Sequence, residues 1–149
     1  DGHAFLIQGR GHVRGYEDAD SYAYGRLAAG PRFDLGFGFV DLLLLAGVDV
    51  LDGDFYGHHL GGRIRTTIDV SDNVSAGLRV DAVHETRDVN LNTNASVGDA
   101  DGSRITVRPW LTYRFSDTWR AVGHGVYSTK DAGSPWFSYD SFGGGLTFH

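Results

Sequence analysis

The chain has 149 residues, the length of one domain, with 13 Lys+Arg against 19 Asp+Glu, a formal net charge of -6, and no Cys or Met. Without Cys there are no disulfides, thiolate metal sites or Cys nucleophile, and the acidic balance argues against a nucleic-acid binder, which needs a basic face. The longest apolar run, Leu42 to Val48, is far too short for a membrane helix.

No charged stretch followed by an apolar core opens the chain, so no signal peptide is expected within it. Helix signals are poor: Gly interrupts almost every window and β-branched and aromatic residues dominate. The hydrophobic period is two, which is the period of a strand.

Turn signals divide the chain into eight strands, expected over 3–15, 22–33, 40–51, 58–70, 75–87, 104–115, 119–129 and 138–148. The connections Ser71–Val74 and Ser116–Thr118 are tight and fall on the same end as Asp34–Phe39. The other end carries Tyr16–Ser21, Asp52–Gly57, the long Asp88–Ser103 loop and Lys130–Phe137. Short turns at one end and longer loops at the other suggest an up-and-down barrel.

Alternate residues of a strand point to opposite faces. In the first strand Phe5, Ile7, Gly9, Gly11 and Val13 share one face and Gln8, Arg10, His12 and Arg14 the other. The second sets Ala23, Leu27, Ala29, Pro31 and Phe33 against Tyr22, Tyr24, Arg26 and Arg32. The third sets Leu42, Leu44, Ala46, Val48 and Val50 against Asp41, Leu43, Leu45, Gly47 and Asp49. The fourth sets Leu60, Gly62, Ile64, Thr66 and Ile68 against His59, Arg63, Arg65, Thr67 and Asp69, and the fifth sets Ala76, Leu78, Val80 and Ala82 against Arg79, Asp81, Val83 and Glu85. The sixth sets Ile105, Val107, Pro109, Leu111, Tyr113 and Phe115 against Arg104, Thr106, Arg108, Trp110, Thr112 and Arg114. All twelve Arg, including Arg87 and Arg120, fall on the charged face.

Three features point the apolar face toward lipid. Aromatic residues gather at both rims: Phe33, Tyr113, Phe115, Trp119 and Phe148 at the short-turn end, and Tyr16, Tyr22, Tyr24, Phe55, Tyr56, Tyr127, Trp136, Phe137 and Tyr139 at the loop end. The apolar face is rich in Gly and Ala, too thin to fill a soluble core to normal density. The opposite face mixes Arg with carboxylates, the composition of confined, bidentate ion pairs. The fold class expected is therefore all-β, an eight-stranded antiparallel up-and-down transmembrane β-barrel formed by residues 1–148 as a single domain, with His149 either native or the first residue of a tag.

The eight alternating runs, the rim aromatics and the ending Phe142-Gly143-Gly144-Gly145-Leu146-Thr147-Phe148 resemble the eight-stranded outer-membrane barrels of Gram-negative bacteria, of OmpA and OmpX type. The resemblance is architectural and covers the whole chain. It implies a bacterial outer-membrane location, contact with the lipid bilayer and lipopolysaccharide, and recognition of terminal Phe148 by the outer-membrane assembly machinery.

The barrel interior is expected to hold a network of Arg10, Arg14, Arg26, Arg32, Arg63, Arg65, Arg79, Arg87, Arg104, Arg108, Arg114 and Arg120 with Asp34, Asp41, Asp49, Asp69, Asp81 and Glu85. An eight-stranded barrel is just wide enough for side chains to fill. A salt-bridged interior in a non-enzymatic structural or surface-interaction protein is the leading reading, and a small anion-preferring pore is an alternative. A soluble ligand-binding barrel of lipocalin type is another.

A rim enzyme acting on lipid A is the remaining alternative. Eight-stranded outer-membrane lipid A deacylases use a His, a nearby Ser and an acid, and His124, Ser128 and Asp140 lie near one rim. The four-residue spacing of His124 and Ser128 sets them about 13 Å apart along a strand, beyond hydrogen-bond reach. His84, Glu85 and Asp88 form a second rim group, with His84 and Glu85 on opposite faces. No catalytic residue is therefore expected.

No cofactor or metal site is expected either. His58 and His59 beside Asp52 and Asp54 read as solvated rim residues rather than metal ligands. The run Asp88-Val89-Asn90-Leu91-Asn92-Thr93-Asn94 alternates oxygens like a calcium loop but has Thr93 where Gly is needed. The loop acids Glu17, Asp18, Asp20, Asp52, Asp54, Asp88, Asp99, Asp101 and Asp131, against the lone Lys130, form an acidic crown that divalent cations would bridge to lipopolysaccharide.

Overall fold

A computed structural model describes residues 2–15, 21–87 and 101–149. Expectations for Tyr16, for the crown acids Glu17, Asp18, Asp20, Asp88 and Asp99, and for the oxygen-rich run from Asp88 to Asn94 lie outside these residues.

Eight antiparallel strands form one up-and-down sheet: β1 (Ala4–Arg14), β2 (Tyr22–Asp34), β3 (Gly38–Leu51), β4 (Asp54–Ser71), β5 (Val74–Arg87), β6 (Gly102–Arg114), β7 (Arg120–Ala132) and β8 (Tyr139–Phe148). A single 3-10 turn, Pro135–Phe137, precedes β8. Among the described residues no helix is long and apolar enough to cross a membrane, which leaves crossing by strands untouched.

Every expected strand forms, because the period-two pattern is strong along the chain. The largest departure is the connection expected over Asp52–Gly57. It is a two-residue turn, with Asp52 at φ 49 and Gly53 at φ 85. Two successive positive φ values give the hairpin turn whose twist matches the flanking strands, and Asp-Gly is its favoured sequence. The segment 54–57 instead joins β4, with a bulge where the register steps from Asp49↔Gly57 to Val50↔Phe55. The strand β7 also runs further than expected and takes in Lys130.

The pairing register brings the arginines of β1, β2 and β4 to β7, with Asp41, Asp49, Asp81 and Glu85, to one face, while Asp140, the one charge of β8, lies on the other. Following it round the sheet, Gln8 is level with Ala28, Leu45, Gly61, Val83, Arg104, Lys130 and Tyr139. The level thus moves from the middle of β1 to the first residue of β8, the stagger of a sheet whose strands tilt as it curls. One cavity touches residues of all eight strands, from Gln8 and Arg10 of β1 to Ser141 of β8.

The curl does not close. The strand β1 pairs only with β2 and β8 only with β7, so both edges are unpaired, and the closed barrel expected from the sequence is not formed. Every residue of β8 is exposed. Gly143, Gly144 and Gly145 give that edge few side chains with which to hold a neighbour. His149 exchanges two backbone hydrogen bonds with Arg120, at 2.9 and 3.0 Å, and extends the β7–β8 ladder.

Packing is divided between the two faces. The inner face has a small apolar cluster of Ala28, Leu43, Leu45 and Val83, joined by Leu6. The outer face leaves its apolar side chains uncovered, among them Ile7 at 71 %, Leu44 at 75 % and Phe142 at 92 % exposure. Two inner glycines make room for large rings. Gly77 lies opposite Trp110, and a Cβ there would fall within the indole; a Cβ at Gly47 would fall within the His59 ring. Replacing Gly77 by Ala should therefore displace Trp110 and destabilise the fold by about 1–3 kcal/mol, as overpacking of a filled site does. A lowered urea midpoint checks this, and an unchanged one rules out the tight contact.

Candidate functional site

The inner face is the one place where ionisable side chains converge. It surrounds a cavity of about 580 Å³. Strand parity explains the convergence: paired strands keep matched pleats, so even positions of β1, β2, β6 and β7 and odd positions of β3, β4, β5 and β8 share one side.

Four groups of charges occupy it. Near the short-turn end, Arg32 donates through Nε and Nη2 to both oxygens of Asp41, at 2.7 and 2.9 Å. Asp41 is 0 % exposed, and the Arg32 guanidinium also lies 3.9 Å over the Phe39 ring. This bidentate pair is direct cross-strand. In the middle, Asp81 accepts from Arg63 Nε at 2.6 Å and from Arg79 Nε at 2.8 and 2.9 Å, with Arg79 Nη2 closer still. Toward the loop end, Glu85 bridges Arg104 Nη2 at 2.7 Å and Lys130 Nζ at 2.9 Å. Beside it, Asp49 accepts from the Tyr22 hydroxyl at 2.7 Å, with His59 Nδ1 at 3.9 Å.

Of the residues named from the sequence, the inner face brings Arg32 to Asp41, Arg63 and Arg79 to Asp81, Arg104 to Glu85, and Asp49 to Tyr22. Arg65 lies between the rings of Phe39 and Trp110, at 5.4 and 5.6 Å, and Arg26 over Tyr24 at 4.8 Å. Arg10 and Arg108 line the cavity. Arg87 donates from Nη1 to the Tyr56 hydroxyl at 3.4 Å, and its backbone N–H donates to Asp101 at 2.7 Å. Arg14 ends β1 at the loop rim, and Asp34 accepts from the Gly36 backbone N–H at 2.8 Å. Arg114 and Arg120 face each other, exposed, at the short-turn rim, where Asp69 also lies exposed.

Lys130 is the inner-face residue that the sequence pattern places elsewhere. It was expected in the loop crown, yet it is buried at 5 % exposure and tied to Glu85. Its signal was parity: it lies two residues past Ser128, which is on the inner face opposite Thr106, and it falls opposite Arg104. Tyr22 and Tyr24, counted with the loop-end aromatic belt, turn inward, where Tyr22 binds Asp49. The belt residues Phe33, Tyr113, Phe115, Trp119, Trp136 and Phe148 are all exposed, Trp136 at 92 %. Tyr113 and Phe115 meet edge to face at 4.7 Å.

The catalytic groupings do not assemble. Ser128 is buried and hydrogen-bonded to Thr106 at 3.0 Å, His124 packs on Gly145, and Asp140 faces the opposite side, accepting from Tyr127 at 3.1 Å. His84 Nδ1 lies 3.2 Å from Ser103 Oγ on the outer face, away from Glu85. His58 stacks on Phe55 outside while His59 turns inward, so those two histidines do not converge. Among the described residues no group of three or more His, Asp or Glu is placed to hold a metal ion.

Asp81 is the carboxylate that compensates two guanidinium groups at once. Asp81→Asn keeps its volume but leaves Arg63 and Arg79 unbalanced in a part-buried site. The expected cost is about 2–4 kcal/mol, below that of a fully dry pair because both Arg retain some solvent contact. Asp72→Asn in an exposed turn should cost less than about 0.5 kcal/mol. Equal urea midpoints for the two variants would remove Asp81 from the stability of the fold. No family model, curated protein or solved structure matches the chain.

Proposed function

We propose that the chain is a transmembrane β-barrel of a bacterial outer membrane, non-enzymatic, whose rigid strands hold a charged interior and present loops for surface interaction. The observation that carries this reading is the direction of the apolar face. Phe5, Ile7, Val13, Leu27, Leu44, Leu60, Ile64, Leu111, Phe142 and Leu146 are all exposed, while the ion pairs are inside. Water would make so large an apolar surface costly, at about 25 cal/mol per Å²; hydrocarbon removes that cost. A soluble ligand-binding barrel would put the apolar side inward.

Closure of β1 on β8 belongs to the same reading. An open strand edge is tolerated where water can bond its N–H and C=O groups, but each unsatisfied group costs several kcal/mol in hydrocarbon. Both edges are antiparallel, staggered by the tilt described above, and line the same cavity. Phe148, exposed on the outer face at the end of β8, is the residue that the assembly machinery would read, and the exposed belt aromatics would sit at the bilayer interfaces. Acids exposed at the loop-end rim, such as Asp52, Asp54 and Asp131, would meet lipopolysaccharide through divalent cations.

Refolding into lipid vesicles followed by protease digestion tests the reading. The expected result is heat-modifiable gel migration with the strand region protected and cleavage confined to loops. Full solubility without detergent, or digestion throughout β3 to β6, would overturn it.

A further inference from the structure

We infer that the inner cavity is a binding site for a phosphate group. Besides Arg114↔Arg120 at the short-turn rim, four like-charge pairs stand directly opposite each other across neighbouring strands: Arg10↔Arg26, Arg65↔Arg79, Arg79↔Arg108 and Arg104↔Lys130. Like charges in register across an antiparallel pair repel and destabilise it. Among the described residues Asp81 and Glu85 stand beside these pairs, and both are taken. Asp81 is shared by Arg63 and Arg79, and Glu85 by Arg104 and Lys130.

Arg10, Arg26 and Arg108 are left with no carboxylate within 4.0 Å among the described residues, and all three line the cavity. They come from three strands, two next to the open edge and one across the curl, so they approach the same space from different sides. At about 580 Å³ the space is of small-molecule size. The guanidinium fork matches a phosphate bidentately, and it carries its charge at any working pH. Several forks around one space suit a compact oxyanion with more than one charge better than a single carboxylate, which the two acids already supply.

The phosphate could be free or could be a lipid headgroup. The site rests on the inner face alone, so its failure is separate from that of the membrane reading. The test is calorimetric titration of the full chain, refolded in a phosphate-free maltoside detergent, with inorganic phosphate and with a short-chain phosphatidic acid. A β-sheet circular dichroism spectrum with a cooperative thermal transition confirms that each variant is folded.

Saturable binding of either probe is expected, and each of Arg10→Gln and Arg108→Gln should weaken it about tenfold, the value of one charge-assisted contact. Asp117→Asn, in the short turn away from the cavity, should leave it unchanged. Binding of phosphate identifies a soluble source, and binding of phosphatidic acid alone identifies a lipid one. Phosphate should also raise the thermal midpoint of the parent chain and not that of the Arg10→Gln, Arg108→Gln double variant. No saturable binding of either probe, or binding that the double variant keeps in full, would overturn the proposal.

Discussion

The pleat of the strand is the constraint on which everything else depends. Successive side chains leave a strand on opposite sides, and strands β1 to β7 assign most of their charges to one side and most of their apolar groups to the other. A one-residue slip in any pairing would carry Arg and Asp onto the apolar face and Leu and Ile onto the charged one. The ion pairs then act as register locks. Arg32 and Asp41 are direct cross-strand partners, as are Arg63 and Asp81. A slip would break both and leave Asp41, which is wholly buried, without compensation.

The strands and the two faces were legible because they rest on a short-range rule repeated eight times. Boundaries were less so. The pair Asp52-Gly53 is a strong hairpin signal, but Asp54, Gly57 and the two histidines after it read as a longer polar loop. The bulge at Tyr56 absorbs the extra residue and lets the strand begin earlier. Lys130 was lost for a related reason: a lone lysine flanked by Thr129 and Asp131 looks like solvated loop, and only its register with Arg104 and Glu85 makes it an interior group. Closure was the expectation furthest from sequence. Pairing between the first and last strands depends on the sum of seven registers and on the glycine-rich edge Gly143 to Gly145, neither of which a local pattern encodes.

The interior combines two kinds of order. Near the short-turn end and around Asp81 and Glu85, carboxylates are matched to guanidinium groups at hydrogen-bond distance. Around Arg10, Arg26 and Arg108 they are not. The sequence gives twelve Arg without saying which are matched, because pairing is set by registers between strands that lie far apart in the chain. The glycines complete the picture: Gly47 and Gly77 leave room for His59 and Trp110, so the inner face is packed by rings where it is not packed by ion pairs. Net charge is then a poor guide to this molecule. A chain that is acidic overall surrounds a cavity with excess positive charge.

The absence of cysteine permits the most direct test of this account. Single Cys residues placed in turn along β6, from 104 to 112, can be spin-labelled in the refolded, vesicle-reconstituted chain. Collision with oxygen, which partitions into lipid, is compared with collision with a water-soluble nickel complex. The account predicts a period of two, with labels at 105, 107 and 111 in contact with lipid and labels at 104, 106, 110 and 112 shielded from it. Uniform access to the water-soluble complex, or lipid contact at the even positions, would contradict it.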